Sequence, residues 1–169
     1  MNILQTMLSA GGGGIVQQLA RQFGINPTQA TAAMSALLPA LAGGLKEKMD
    51  SGAAPEIVNM ISSPNLVQFA DNPMRLASPA ALNMGDALLS AIFGFEDTSY
   101  LISVVAEKVG LGSSVIASML PVAATLLGAF LSKDAEAGGN PSDTLEHIAS
   151  GGHNGLFDAV KGLAARILR

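Results

Sequence analysis

Gly24-Ile25-Asn26-Pro27, with the run Thr28 to Leu45 that follows it, decides how this chain folds. The spacing before it predicts a helix over Ile15 to Phe23, with Ile15, Val16, Leu19, Ala20 and Phe23 recurring at one-turn intervals. Gly24 ends that helix as a residue able to turn left-handed, and Ile25 is the apolar contact just beyond it. Asn26 caps the next helix and Pro27 takes its first position, where a missing N–H is harmless. Ala30, Ala33, Met34, Leu37, Leu38, Leu41 and Leu45 then form an apolar stripe. Pro39 lies in the middle of this run and offers no N–H to the Ser35 carbonyl, so the helix is expected to kink or split there. Thr31, Ser35, Ala42 and Gly43 give it a face of small residues, which suits close approach by another helix.

The pattern returns 86 residues later. Ile15, Val16, Leu19, Ala20, Phe23, Gly24 and Ile25 correspond to Leu101, Ile102, Val105, Ala106, Val109, Gly110 and Leu111. A cap at Ser113 or Ser114 then opens a helix whose apolar positions run from Val115 and Ile116 through Met119, Leu120, Ala123, Leu126 and Leu127 to Phe130 and Leu131. Pro121 is expected to kink it, and Ser118, Thr125 and Gly128 repeat the small face. Two such units, over about 2–48 and 86–133, suggest an internal pseudo-twofold pairing and are too few for a solenoid.

Shorter elements fill the remainder. Residues 2–9 form a short amphipathic helix stopped by Gly11 to Gly14. That glycine run has neither a preceding strand nor a following Lys-Ser/Thr, so it reads as a linker and not as a phosphate cradle. Ala54 to Ile61, with Ile57, Val58 and Ile61 buried, precedes a break at Ser62 to Asn65. A short turn over Leu66 to Ala70 follows, and Ser78-Pro79 starts a helix or helix pair running to Phe93. Residues 134–155 are polar and Gly-rich and read as a linker carrying one short helix, Ser142 to Ala149. The segment 156–169 is amphipathic, with Leu156, Phe157, Val160, Leu163 and Ile167 on one face.

The expected fold is therefore all-α: a multihelical domain over 1–133 made of two related helix-turn-helix-like units with Pro-kinked core helices, a linker, and a C-terminal amphipathic helix. Hydrophobic residues make up 49% and charged residues 13%. The second figure is about half the usual share, so the chain has little charge with which to cover its outside. It must pack tightly, associate with itself, or meet a membrane. Cysteine is absent, which excludes disulfides and thiolate metal sites. The nine basic residues are scattered and the net charge is −4, no footprint for nucleic acid. Met1 to Ala10 contains no Lys or Arg and reads as mature protein in a cytoplasmic setting.

The phrases Gln18-Leu19-Ala20-Arg21-Gln22-Phe23-Gly24, Leu37-Leu38-Pro39-Ala40-Leu41-Ala42-Gly43-Gly44-Leu45, Gly85-Asp86-Ala87-Leu88-Leu89-Ser90-Ala91-Ile92-Phe93-Gly94 and Met119-Leu120-Pro121-Val122-Ala123 carry a further reading. In this order, over about residues 1–133, the chain resembles the bacterial domain of unknown function 937 family, the YidB-like proteins. The resemblance implies an all-helical, cytoplasmic bacterial protein and brings no active-site residue with it.

No constellation carries catalysis, and no catalytic, cofactor-binding or metal-binding residue is assigned. His147 and His153, six residues apart with Gly151-Gly152 between, share no helix face with which to hold a metal beside Asp143, Glu146 and Asp158. Glu96-Asp97 and Asp134/Glu136 sit at element ends, where carboxylates serve the helix dipole. The expected role is a non-catalytic protein–protein interaction or self-assembly module. It would act as a homo-oligomer or with an unidentified protein partner, using Leu156, Phe157, Val160, Leu163 and Ile167. One alternative is a DNA-binding regulator using the helix-turn-helix-like segment 15–45, disfavoured because Thr28 to Leu45 holds no Lys or Arg. Another is a membrane-associated protein using 113–132 or 156–168. The methionines offer an adaptable groove lining, with Met34 and Met119 assigned to the core.

Overall fold

The computed structural model describes residues 14–72, 75–76 and 78–150. They form eight α-helices and no strand: α1 (Gly14–Phe23), α2 (Pro27–Lys48), α3 (Ala54–Ile61), α4 (Pro64–Asp71), α5 (Pro79–Ile92), α6 (Gly94–Val109), α7 (Ser113–Glu136) and α8 (Pro141–Ser150). A short π-helical stretch, Met49–Ala53, joins α2 to α3. The expected helix at 2–9, the glycine run to Gly13, and the amphipathic segment with Leu156, Phe157, Val160, Leu163 and Ile167 lie outside the described residues.

Two helices make the centre. Every residue from Leu37 to Leu45 in α2 is buried, and so is every residue from Val122 to Ala129 in α7. A helix apolar all round is stable only when other helices surround it. Here α1, α6 and α8 pack on α2, while α3, α4, α5 and α6 pack on α7, and α2 and α7 touch each other. The low charge content follows in part, because the middle of each long helix presents no face to solvent.

The two corners that lead into these helices have the same backbone. Gly24 and Gly110 take φ of 67° and 70°, a left-handed conformation that glycine adopts without the Cβ penalty. The Ile25 N–H donates to the Ala20 carbonyl at 3.0 Å, and the Leu111 N–H donates to Ala106 at 3.2 Å. Burial keeps the 86-residue register beyond the corner. Ala30, Ala33, Met34, Leu37 and Leu41 are buried, and so are Ile116, Met119, Leu120, Ala123 and Leu127. The caps differ. Asn26 and Gln29 form a reciprocal capping box, with Asn26 Oδ1 accepting from the Gln29 N–H at 2.7 Å and Gln29 Oε1 accepting from the Asn26 N–H at 3.1 Å. Helix α7 starts at Ser113 behind Gly112 with no side-chain cap, so neither Ser113 nor Ser114 plays that part.

Neither proline splits its helix: Pro39 lies inside α2 and Pro121 inside α7. The carbonyls each deprives of a partner belong to Ser35 and Ala117, one turn earlier, and both residues are exposed. Each proline therefore costs its helix one backbone hydrogen bond without interrupting it.

The shell departs from expectation in three places. Helix α6 begins at Gly94, seven residues before Leu101, where the repeat of the first unit sets in. Val58 is 39% exposed, not buried. Helix α8 lies in the stretch read as a linker, yet Leu145 and Ile148 are fully buried and pack against α2. The Thr144 hydroxyl ties it down further by donating to Asp134 Oδ2 at 2.6 Å.

Candidate interaction groove

Short helices around α7 leave a gap. Helices α3, α4 and α5 converge on it, and the last two are started by local chemistry. Ser63 and Ser78 stand before Pro64 and Pro79, and their hydroxyls accept from the Asn65 and Ala81 N–H groups at 3.4 and 3.3 Å. Where the three helices fail to close, an open groove of about 370 Å³ remains, lined by Asn59, Met60, Ser63, Leu66, Met84, Ala87 and Leu88. Its size lies at the low end of the range for ligand pockets, about 300–1,000 Å³.

Three features fix its shape. Gly85 lets α5 lie directly on α7: a Cβ there would stand 2.0 Å from the Pro121 carbonyl oxygen. Gly128 leaves room for Leu66 and Leu88 to settle on α7 as the groove floor, with Leu88 Cδ1 3.0 Å from where a Gly128 Cβ would be. Two buried hydroxyls pin the helices behind it. Thr125 Oγ1 sits 2.5 Å from the Ala81 carbonyl of α5 and 3.0 Å from that of Pro121. Ser132 Oγ donates to the carbonyl of Ile61, the last residue of α3, and lies 2.9 Å from the Gly128 carbonyl. The Lys133–Asp71 ion pair joins the end of α7 to the end of α4 at the surface.

The walls are half-buried Met60 and Met84. Methionine is unbranched and polarisable, so it fits differently shaped apolar partners with little strain. Asn59 and Ser63 supply the polar edge. Exposed Glu56, one turn before Met60 on the same face of α3, brings negative charge toward the rim, whereas Asp86 falls on the face of α5 turned away from Met84, Ala87 and Leu88. Met34 and Met119 are fully buried in the core. Periodicity alone does not reveal the groove, because it joins residues 59–66 to 84–88 across a gap in sequence. The methionines were its one legible sign.

The other readings meet the structure as follows. In the corner formed by α1 and α2, the second helix is buried throughout Leu37 to Leu45, and its exposed N-terminal residues Thr28, Thr31, Ala32 and Ser35 carry no charge. Helix α7 is long and apolar enough to cross a membrane, and 67% of its most apolar window is buried inside the fold, as in a core helix. No group of three or more His, Asp or Glu side chains converges among the described residues. One charge is tuned: the Lys46 ammonium is raised above its ordinary pKa, chiefly by its 2.7 Å hydrogen bond to Asp50, with burial opposing and Glu146 and Glu47 adding attraction.

The fold and groove thus define an all-α protein organised on two buried helices, with an apolar surface cleft. The chain belongs to the bacterial family of proteins of unknown function DUF937, whose model matches residues 5–134. No curated protein and no solved structure matches it.

Proposed function

We propose that this protein is a non-catalytic interaction module that assembles with copies of itself, and that the groove between α3, α4 and α5 is the assembly surface. The observation that carries this reading is the groove itself: an apolar cleft walled by Met60 and Met84 on a chain with few charges. An apolar cleft loses free energy to water until something covers it, at roughly 25 cal/mol per Å² of apolar area. Adaptable methionine walls suit a protein surface better than one rigid small molecule.

Solution mass by light scattering over a concentration series tests this on the full chain. A defined oligomer is expected. Ala87→Asp, which puts a carboxylate at an exposed groove position without touching the core, should lower the mass toward the monomer. A monodisperse monomer at every concentration overturns self-assembly. The full chain is required, because a chain cut at Lys133 would lose the buried Leu145 and Ile148.

A further inference from the structure

We propose that the occupant of the groove is the amphipathic segment 156–168 of a second copy of this chain; this rests on the assembly reading above and adds the identity of the bound element. Three observations lead to it.

The first is pattern. Leu156, Val160, Leu163 and Ile167 recur at i, i+4, i+7 and i+11, the anchor spacing with which a helix lies in an apolar groove. Such a stripe is too short to hold lipid strongly by itself. It needs an apolar surface, and the groove offers one, with Leu66 and Leu88 as its floor.

The second is charge. Residues 151–169 carry Lys161, Arg166 and Arg169 against the single acid Asp158, while residues 1–150 carry six basic side chains against twelve acidic ones. A positive segment is thus tethered to a negative body. Near the groove the acid Glu56 is exposed one turn from Met60, whereas the one basic residue between 54 and 92, Arg75, donates to Gln68 Oε1 at 2.9 Å. Opposite charge across a rim guides the encounter and its orientation more than it adds affinity.

The third is chain length. Only Gly151-Gly152-His153-Asn154-Gly155 separates the end of α8 from Leu156. Helix α8 packs on α2, while the groove is built from α3, α4 and α5. A short tether leaving one side of the body favours delivery to a neighbour, and reciprocal delivery gives a closed two-fold dimer.

The absence of native cysteine makes a clean test available. Ala87→Cys and Ala164→Cys are prepared as separate full-length proteins, mixed, and treated with a short thiol-reactive spacer. A covalent dimer that forms in the mixture well above the level of either protein alone is the expected result. Leu163→Asp in the Ala164→Cys chain should cut the yield about tenfold, as loss of a central anchor does. A crosslink that forms only within one chain carrying both cysteines would overturn delivery to a second copy. No crosslink in any combination would overturn the segment as occupant. The solution mass separates the two claims: an oligomer without the crosslink leaves the assembly reading standing, whereas a monomer removes both.

Discussion

Gly85→Ala adds one methyl group at the point where α5 crosses α7. The added Cβ would lie 2.0 Å from the Pro121 oxygen and 2.6 Å from its carbonyl carbon, both backbone atoms of a helix buried on nearly every side. Neither atom can swing away as a side chain does, so the two helices must separate. Forcing an extra methyl into a packed core costs about 1–3 kcal/mol, and a backbone neighbour puts this site at the upper end. Alanine is about 1 kcal/mol better than glycine inside a helix, which offsets part of the loss. The expected net destabilisation is about 2 kcal/mol, or about 4–8 °C in melting temperature for a domain of this size. Gly128→Ala is the matched comparison. Its Cβ would meet Leu88 Cδ1 at 3.0 Å and Leu66 Cδ1 at 3.3 Å, the ends of side chains that can yield. The helix-propensity gain should hold that variant within about 1 kcal/mol of the parent. Urea unfolding of both variants, followed by far-ultraviolet circular dichroism, measures the difference. If Gly85→Ala is as stable as the parent, or if the two variants lose equal amounts, the close α5–α7 crossing is refuted.

Other substitutions probe separate contacts. Ser132→Ala strands the Ile61 carbonyl in the core and should cost about 1–3 kcal/mol in denaturant unfolding; a neutral result would mean the carbonyl is hydrated. Leu145→Ala should cost about 2–5 kcal/mol if α8 belongs to the core, and nothing measurable if 134–155 were a free linker. The raised pKa of Lys46 means that its pairing stabilises the fold fully below the unfolded value and is lost as pH climbs through the higher folded value. Asp50→Asn should therefore remove a few tenths of a kcal/mol near neutral pH, a small amount because the pair is partly solvated, and the gap to the parent should close at alkaline pH once the Lys46 ammonium has lost its proton.

The central helices were legible because their signals agree at every level. Asn26-Pro27 opens α2 and the apolar stripe continues it, while Gly24 and Gly110 mark the corners. The continuous passage through Pro39 and Pro121 was not, because it depends on whether Ser35 and Ala117 face water, a tertiary fact. The start of α6 at Gly94 was not legible, because Gly94 reads as the close of the helix before it, and Glu96-Asp97 read as lying just ahead of the next one. Helix α8 was placed to within a residue or two, but its polar composition hid the two residues that matter, Leu145 and Ile148, one turn apart on one face. The groove lies furthest from sequence reasoning. Periodicity tells which face of a helix is apolar; it does not tell where three such faces fail to meet.

Helix α7 also has a history in time. It is the most apolar long helix among the described residues, and on its own it would tempt the machinery that sorts nascent chains toward bilayers. Synthesis runs from the N-terminus at about 5–20 residues per second. By the time Ser113 to Glu136 leaves the ribosome, nearly everything described that covers it (α1 through α6) has already emerged, and only α8 is still to come. The order of elements along the chain thus acts as a chaperone of its own: the greasiest segment is born into a waiting cradle. A permuted chain that made 113–136 first would lose that protection.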